Sequence, residues 1–122
     1  MEIKAGLKYA QSHEWADING NVAKVGISDF AQSELGDLVF VELPAVGDEV
    51  VCGQAFANVE SVKAVSEVFS PISGKVIAVN EELLDAPELI NEKPYDAWFI
   101  EVEVSSVGEN LLDADAYATI AK

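Results

Sequence analysis

Residues 56–69 read FANVESVKAVSEVF, a valine-rich stretch of fourteen residues that contains neither glycine nor proline. One strand of that length would be more than twice as long as usual, so the stretch is predicted to fold back on itself. The letters VESV before Lys63-Ala64 and the letters VSEV after it are mirror images. Opposite residues of an antiparallel hairpin have position numbers with a constant sum. We therefore predict a hairpin with Lys63-Ala64 as its loop and with Glu60 opposite Glu67.

This predicted hairpin departs from local rules in two ways. Two-residue loops usually contain Asn or Gly, because the favoured turns need positive φ, and Lys63-Ala64 offers neither. Like charges at Glu60 and Glu67, facing each other across a strand pair, would be unfavourable. Such departures mark candidates for function, although the same pattern also fits a charged hairpin tip with no role beyond solvation.

Elsewhere the chain consists of short apolar runs that glycine and proline separate. Several of these runs alternate with a period of two, the pattern of strands with one buried face. Many short strands without long helices between them predict an all-β sandwich or barrel, formed by one domain over residues 1–122. The residues predicted to share a face are Ala23, Val25 and Ile27; Val39, Val41 and Leu43; and Trp98, Ile100, Val102 and Val104.

Helices are predicted to be few and short. Ser28 is a suitable cap for a helix from Asp29 that Gly36 ends. The tail 113–121 contains helix formers with acidic residues in its first turn, which favours a C-terminal helix. The acidic stretch 81–92, which Pro87 interrupts, is predicted to be a turn-rich surface segment.

Composition excludes several classes of function. The chain has 122 residues, 22 Asp plus Glu, seven Lys and no Arg, for a formal charge of −15. Nucleic acid binding needs clustered cations, so it is not expected, and protein partners should present basic faces. One Cys and one His cannot form an intrachain disulfide or a structural zinc site. No signal peptide and no apolar run of membrane-spanning length is apparent, so a cytoplasmic, reduced protein without membrane contact is expected.

Several separate motifs together resemble one family, the glycine cleavage system H protein, a lipoyl carrier protein. The resemblance runs almost from end to end of the chain, with the motifs in one order. The motifs are Gly6-Leu7-Lys8-Tyr9, Ser12-His13-Glu14-Trp15, the stretches 25–32 and 35–44, Glu60-Ser61-Val62-Lys63-Ala64, Ser70-Pro71-Ile72-Ser73-Gly74-Lys75-Val76, and Pro94-Tyr95.

The resemblance implies a barrel-sandwich hybrid fold with two small sheets, a few short helices and a C-terminal helix. It implies that Lys63 carries lipoic acid in amide linkage at the hairpin tip. It also implies that Ser12, Glu14 and Glu67 surround a cleft that shelters the loaded arm. A cationic aminomethyl group would suit carboxylates in such a partly desolvated place.

The same resemblance implies a carrier that is not itself an enzyme. Its lipoyl arm would take the aminomethyl group of glycine from glycine decarboxylase (P protein) to the aminomethyltransferase (T protein). Dihydrolipoamide dehydrogenase (L protein) would then reoxidise the arm, and a lipoate ligase or a lipoyl/octanoyl transferase would attach it. We expect a monomer of the cytoplasmic, bacterial type or a processed mitochondrial form.

Four alternative functions can be distinguished from this one by a sequence feature or by an experiment. A biotin carrier usually has methionines beside its modified lysine, whereas Val62 and Ala64 flank Lys63 here. A lipoyl relay to other enzymes would use the same lysine and stays open. An enzyme that uses Glu60 and Glu67 as an acid–base pair would turn over substrate without partners. An interaction module without lipoate would leave Lys63 unable to accept it.

Three further residues receive structural interpretations. His13 is predicted to be a hydrogen-bonding residue beside Trp15, and Cys52 a small buried hydrophobe. Trp98 is predicted to pack in the core.

Overall fold

Two antiparallel sheets form the molecule in the computed structural model, which describes residues 1–121. One sheet has six strands in the order β1-β2-β3-β9-β8-β5, and the other has three in the order β4-β6-β7. This confirms the all-β, sandwich-like fold, although neither sheet closes on itself as a barrel. The strands are β1 (Lys8–Tyr9), β2 (Glu14–Asn19), β3 (Val22–Ile27), β4 (Leu38–Glu42), β5 (Glu49–Val50), β6 (Ala55–Ser61), β7 (Val65–Phe69), β8 (Ile72–Val79) and β9 (Ile100–Val107).

Both predicted helices are present with their caps. The Ser28 hydroxyl accepts a hydrogen bond from the Ala31 amide at 3.2 Å and begins α1 (Asp29–Leu35), which ends at Gly36 with φ of 83°. The Asp113 carboxylate accepts from the Ala116 amide at 2.9 Å and begins α4 (Ala114–Ala118). Within residues 1–121, no helix is long and apolar enough to cross a membrane.

The acidic stretch 81–92 is more than the turn-rich surface segment that its composition predicts. It forms two single-turn helices, α2 (Glu82–Asp85) and α3 (Leu89–Glu92). Each turn points one apolar side chain inward, and Leu83 and Ile90 are fully buried. The acids stay outside, so the segment covers the core while it contributes charge to the surface.

The β6–β7 hairpin exists, but its register differs from the predicted one. Glu60 lies opposite Val65, and Glu67 lies opposite Asn58, so the predicted Glu60–Glu67 pair is wrong. The Ser61 amide donates to the Ala64 carbonyl at 2.8 Å, which makes Val62-Lys63 the loop instead of Lys63-Ala64. Both registers keep the same side chains on the buried face, so the hydrophobic pattern cannot distinguish them.

Ser61 explains why this loop manages without Asn or Gly. Its hydroxyl oxygen accepts hydrogen bonds from the Lys63 amide at 3.3 Å and the Ala64 amide at 3.1 Å. Serine hydroxyls stabilise turns in this way when they bond the backbone two or three residues on. Within residues 1–121, His13 is the one non-glycine residue with positive φ, so the loop does not use the mirror-image turn types.

A β-bulge in β4 overturns the predicted face of Val39, Val41 and Leu43. Leu38 is opposite Ser61, and Phe40 is opposite the preceding residue of β6, so Val39 is the extra residue. The alternation therefore restarts, and Val39 is 54% exposed whereas Val41 is 1% exposed. The bulge brings two consecutive apolar side chains, Val39 and Phe40, to the surface.

The apolar core has two parts, and two predicted core residues are outside them. Residues on the inner faces of the sheets, with Phe99 fully buried among them, form the first cluster. Trp98, predicted to be buried, is half-buried instead, and Lys24 Nζ lies 5.4 Å from its ring centroid. Cys52, also predicted to be buried, is exposed. The second cluster includes Tyr117 of α4, and its buried members are Leu7, Tyr9, Trp15, Tyr117 and Ala121.

Candidate functional site

Lys63 is exposed at the tip of the β6–β7 hairpin. Its stem passes over the end of α1, because a Cβ added at Gly36 would lie 3.4 Å from Lys63 Cε and 3.9 Å from Nζ. The Val62 amide donates to the Asp37 carbonyl at 3.4 Å, which ties the loop to the chain after α1. The tip thus holds the amine outside the molecule while backbone bonds hold the loop.

A groove of about 170 Å³ lies beside this tip, between α1 and β7. The three predicted cleft residues, Ser12, Glu14 and Glu67, all line it, although they are far apart in the sequence. Lys63 does not line the groove, but its stem lies against Gly36, which follows the lining residue Leu35. The other lining residues are His13, Ile27, Phe30, Ala31, Glu34, Val59, Ser66 and Val68.

Glu14 is a buried carboxyl in the wall of the groove, with 3% of its surface exposed. One carboxylate oxygen accepts a hydrogen bond from the Ser12 hydroxyl, and the other accepts from the Phe69 amide at 3.1 Å. Burial raises the pKa of Glu14 to about 7, although both hydrogen bonds act in the opposite direction. Glu14 can therefore exchange a proton near neutral pH.

His13 is positioned by α4 rather than by Trp15. Its Nδ1 lies 2.8 Å from the Tyr117 hydroxyl, which in turn lies 2.6 Å from the Ser28 hydroxyl. The His13 backbone has φ of 80°, a conformation that is uncommon outside glycine and that often occurs near functional sites. Burial lowers the pKa of His13, and the Glu34 carboxylate partly opposes that change.

Sequence reasoning missed the contribution of α1 to the groove. Phe30, Ala31, Glu34 and Leu35 line it together. Counted from Phe30, the other three residues lie one, four and five positions further on, and residues with this spacing share one face of a helix. This pattern could be recognised once the helix was predicted. Glu34 and Glu67 are exposed acids of the groove, so a carboxylate is present on each side of its apolar lining.

The groove therefore combines apolar side chains with carboxylates. Phe30, Leu35, Val59 and Val68 supply apolar surface, and Glu14 supplies a buried, hydrogen-bonded oxygen pair. An apolar chain with a cationic end suits these side chains, because charge-assisted hydrogen bonds to carboxylates are strong where water is partly excluded.

Comparisons with known proteins all point to one family. The family model described as glycine cleavage H-protein matches residues 7–122. The chain is 56% identical to the glycine cleavage system H protein of Treponema denticola over the full length of both chains. It is 58% identical to that of Anoxybacillus flavithermus, covering 96% of this chain and 94% of the relative. A crystal structure of a glycine cleavage system H protein from Mycobacterium marinum superposes with a TM-score of 0.90 at 42% identity, covering 96% and 97% of the two chains.

Proposed function

The chain belongs to the glycine cleavage H-protein family, whose members carry lipoate, and we propose that Lys63 is its attachment residue. The observation that carries this proposal is the exposed amine at a tight hairpin tip beside the groove. Lys63 is also the only cation between residues 25 and 74, so this stretch of the sequence offers the attaching enzyme a single lysine.

Attachment requires only that the amine reach an activated acyl group. The Nζ of Lys63 would form an amide bond to the carboxyl carbon of lipoate, while the bond from that carbon to its activating group would break. The activating group would leave with the attaching enzyme's reaction, and the Nζ proton would pass to solvent. Acylation removes the charge of Lys63, so the lengthened arm can lie along apolar surface more easily than the free ammonium.

Lipoate, when bound, supplies a disulfide that accepts the aminomethyl group of glycine and is later reoxidised. The contribution of this chain is to hold the attachment point and to offer the groove. A tether of this kind raises the effective concentration of the carried group at each enzyme that it meets. We infer that the chain carries the aminomethyl group from one enzyme to the next and performs none of the reactions alone.

We propose that Ser12, Glu14 and Glu67 hold the loaded arm in the groove. The buried Glu14 carboxyl, with a pKa of about 7, loses its proton readily when a cation approaches. Glu67 adds a second carboxylate on β7, and Ser12 keeps the Glu14 oxygen oriented through its hydroxyl. The change of Glu14 or Glu67 to Gln should shorten the lifetime of the loaded arm, and an unchanged lifetime in both variants would refute this role.

Membership of the glycine cleavage system implies the other components of that system as partners. We infer that they are glycine decarboxylase, the aminomethyltransferase and dihydrolipoamide dehydrogenase, with a lipoate ligase or a lipoyl/octanoyl transferase for attachment. We further infer a single-domain monomer, and a cytoplasmic location like that expected for its bacterial relatives.

Peptide mass mapping after incubation with a lipoate ligase, lipoate and ATP tests the attachment site. We expect one lipoyl group on the peptide that contains Lys63 and none in the Lys63→Arg variant, which keeps the charge but loses the acylatable amine. Lys75→Arg, in β8 of the other sheet, is the matched control and should be modified like the wild type. Modification of another lysine, with Lys63 unmodified, would overturn the proposal.

A further inference from the structure

The hairpin tip carries an unusual concentration of exposed apolar side chains. Val62 is 78% exposed, Val65 is 71% exposed and Phe40 is 51% exposed. Val39, the bulged residue of β4, joins them at the same end of the three-stranded sheet. The groove has its own apolar lining, and none of these four side chains lines it.

Strand register places these side chains in a definite arrangement. Phe40 pairs with Glu60, and Glu60 pairs with Val65, so the three side chains form one row across the outer face of β4, β6 and β7. The β4 bulge creates this row, because regular pairing from Leu38 opposite Ser61 would put Val39 opposite Glu60 and turn Phe40 to the buried face. Bulges often direct side chains toward functional surfaces.

The next row along the same face is polar and acidic. Glu42 pairs with Asn58, and Asn58 pairs with Glu67. The Asn58 side-chain amide donates to a Glu42 carboxylate oxygen at 2.9 Å, which orders the centre of this row. The outer face therefore has apolar side chains next to Lys63 and carboxylates at Glu42, Glu60 and Glu67, with no cation other than Lys63 between residues 25 and 74.

We propose that this outer face, Val39, Phe40, Glu60, Val62 and Val65 with the adjacent acidic row, is the docking surface for the enzyme that acylates Lys63. The inference rests on the proposed function of Lys63. Its partner is a protein surface with an apolar centre and a rim of lysine and arginine, the complement of the charges on the face.

The acylating enzyme is the occupant because of the length of the arm. Before acylation only the lysine side chain extends from the tip, so that enzyme must bring its reacting carbon within bonding distance of Nζ. It must therefore contact the residues that surround the tip. Enzymes that act later on the far end of the arm can remain farther from the sheet.

Steady-state kinetics of lipoate attachment, with a lipoate ligase, lipoate and ATP, test the docking surface. In Phe40→Ser and Val65→Ser we expect KM for the protein to rise about tenfold with kcat within about twofold, because buried interface anchors contribute on this scale. Val46→Ser removes a valine that is 61% exposed and lies outside the face, and it should behave as the wild type. All three side chains are exposed, so the variants should keep the wild-type thermal midpoint.

Salt gives a second readout of the same surface. KM of the wild type should rise with ionic strength, and the Glu42→Gln/Glu60→Gln variant should show a smaller rise, since screened attraction is lost with the charges. Unchanged KM in both apolar variants, while wild-type Lys63 is acylated, would overturn the docking surface and leave the attachment site standing. An equal rise in Val46→Ser would also overturn it. Failure of the wild type to be acylated at Lys63 would instead defeat the proposed function itself.

Discussion

The buried Glu14 carboxyl should lower the stability of the wild type as the pH rises, and replacement of Glu14 by Gln should remove this pH dependence. Burial raises the pKa of this carboxyl from its ordinary value of 4.5 to about 7. Such a rise corresponds to about 3 kcal/mol, because each pKa unit is about 1.4 kcal/mol. Gln has the same shape, and its side chain can accept from the Phe69 amide and donate to the Ser12 hydroxyl.

The direction of the effect follows from proton binding. Between its unfolded pKa and its folded pKa, Glu14 holds more proton in the folded state than in the unfolded state. The contribution of Glu14 to the free energy of unfolding of the wild type therefore falls as the pH rises from about 4.5, and this loss is complete above about pH 7. The Gln variant does not titrate, so its stability relative to the wild type should increase by about 2–3 kcal/mol between pH 5 and pH 8.

Urea denaturation of the unlipoylated proteins, followed by tryptophan fluorescence across that pH range, measures this difference. Glu67→Gln is the matched control, because it removes the same charge from an exposed position in the same groove. Its stability relative to the wild type should vary little with pH by comparison. If the Glu14→Gln difference is constant from pH 5 to pH 8, the Glu14 carboxyl is not destabilised by burial and the reasoning is refuted.

Three further substitutions test how the site is held. Gly26→Ala should lower the free energy of unfolding by about 1–3 kcal/mol, because the new Cβ would lie 2.6 Å from a Trp15 ring atom. Equal urea midpoints for this variant and the wild type would contradict the expectation. Tyr117→Phe should cost about 1–3 kcal/mol in urea denaturation, because the Ser28 and His13 side chains lose their shared hydroxyl partner, and a neutral result would show that they find other partners. Ser61→Ala removes the hydroxyl that accepts from the Lys63 amide, so NMR relaxation should show increased fast motion of that amide, whereas Ser61→Thr keeps a hydroxyl and should not. Equal order parameters in both variants would argue against the turn described for this tip.

Much of the local structure was predictable because it depends on neighbouring residues. The β6–β7 hairpin follows from a valine-rich stretch too long for one strand, and α1 follows from Ser28 and Gly36. The hairpin register was not predictable in the same way, because the two registers bury the same side chains. In the observed register Val62-Lys63 is the loop, and the Ser61 hydroxyl accepts hydrogen bonds from the Lys63 and Ala64 amides at this turn.

The sequence by itself determined that Lys63 stands at a hairpin tip, that the fold is built from short strands, and that the surface is strongly acidic. These properties depend on composition, on periodicity and on contacts within a few residues. Only the tertiary structure decided that Glu14 is buried beside the Phe69 amide, that Glu67 faces the same groove, and that Phe40 lies in a row with Val65. Burial, pKa and the composition of a surface depend on which distant segments meet, and local sequence rules do not contain that information.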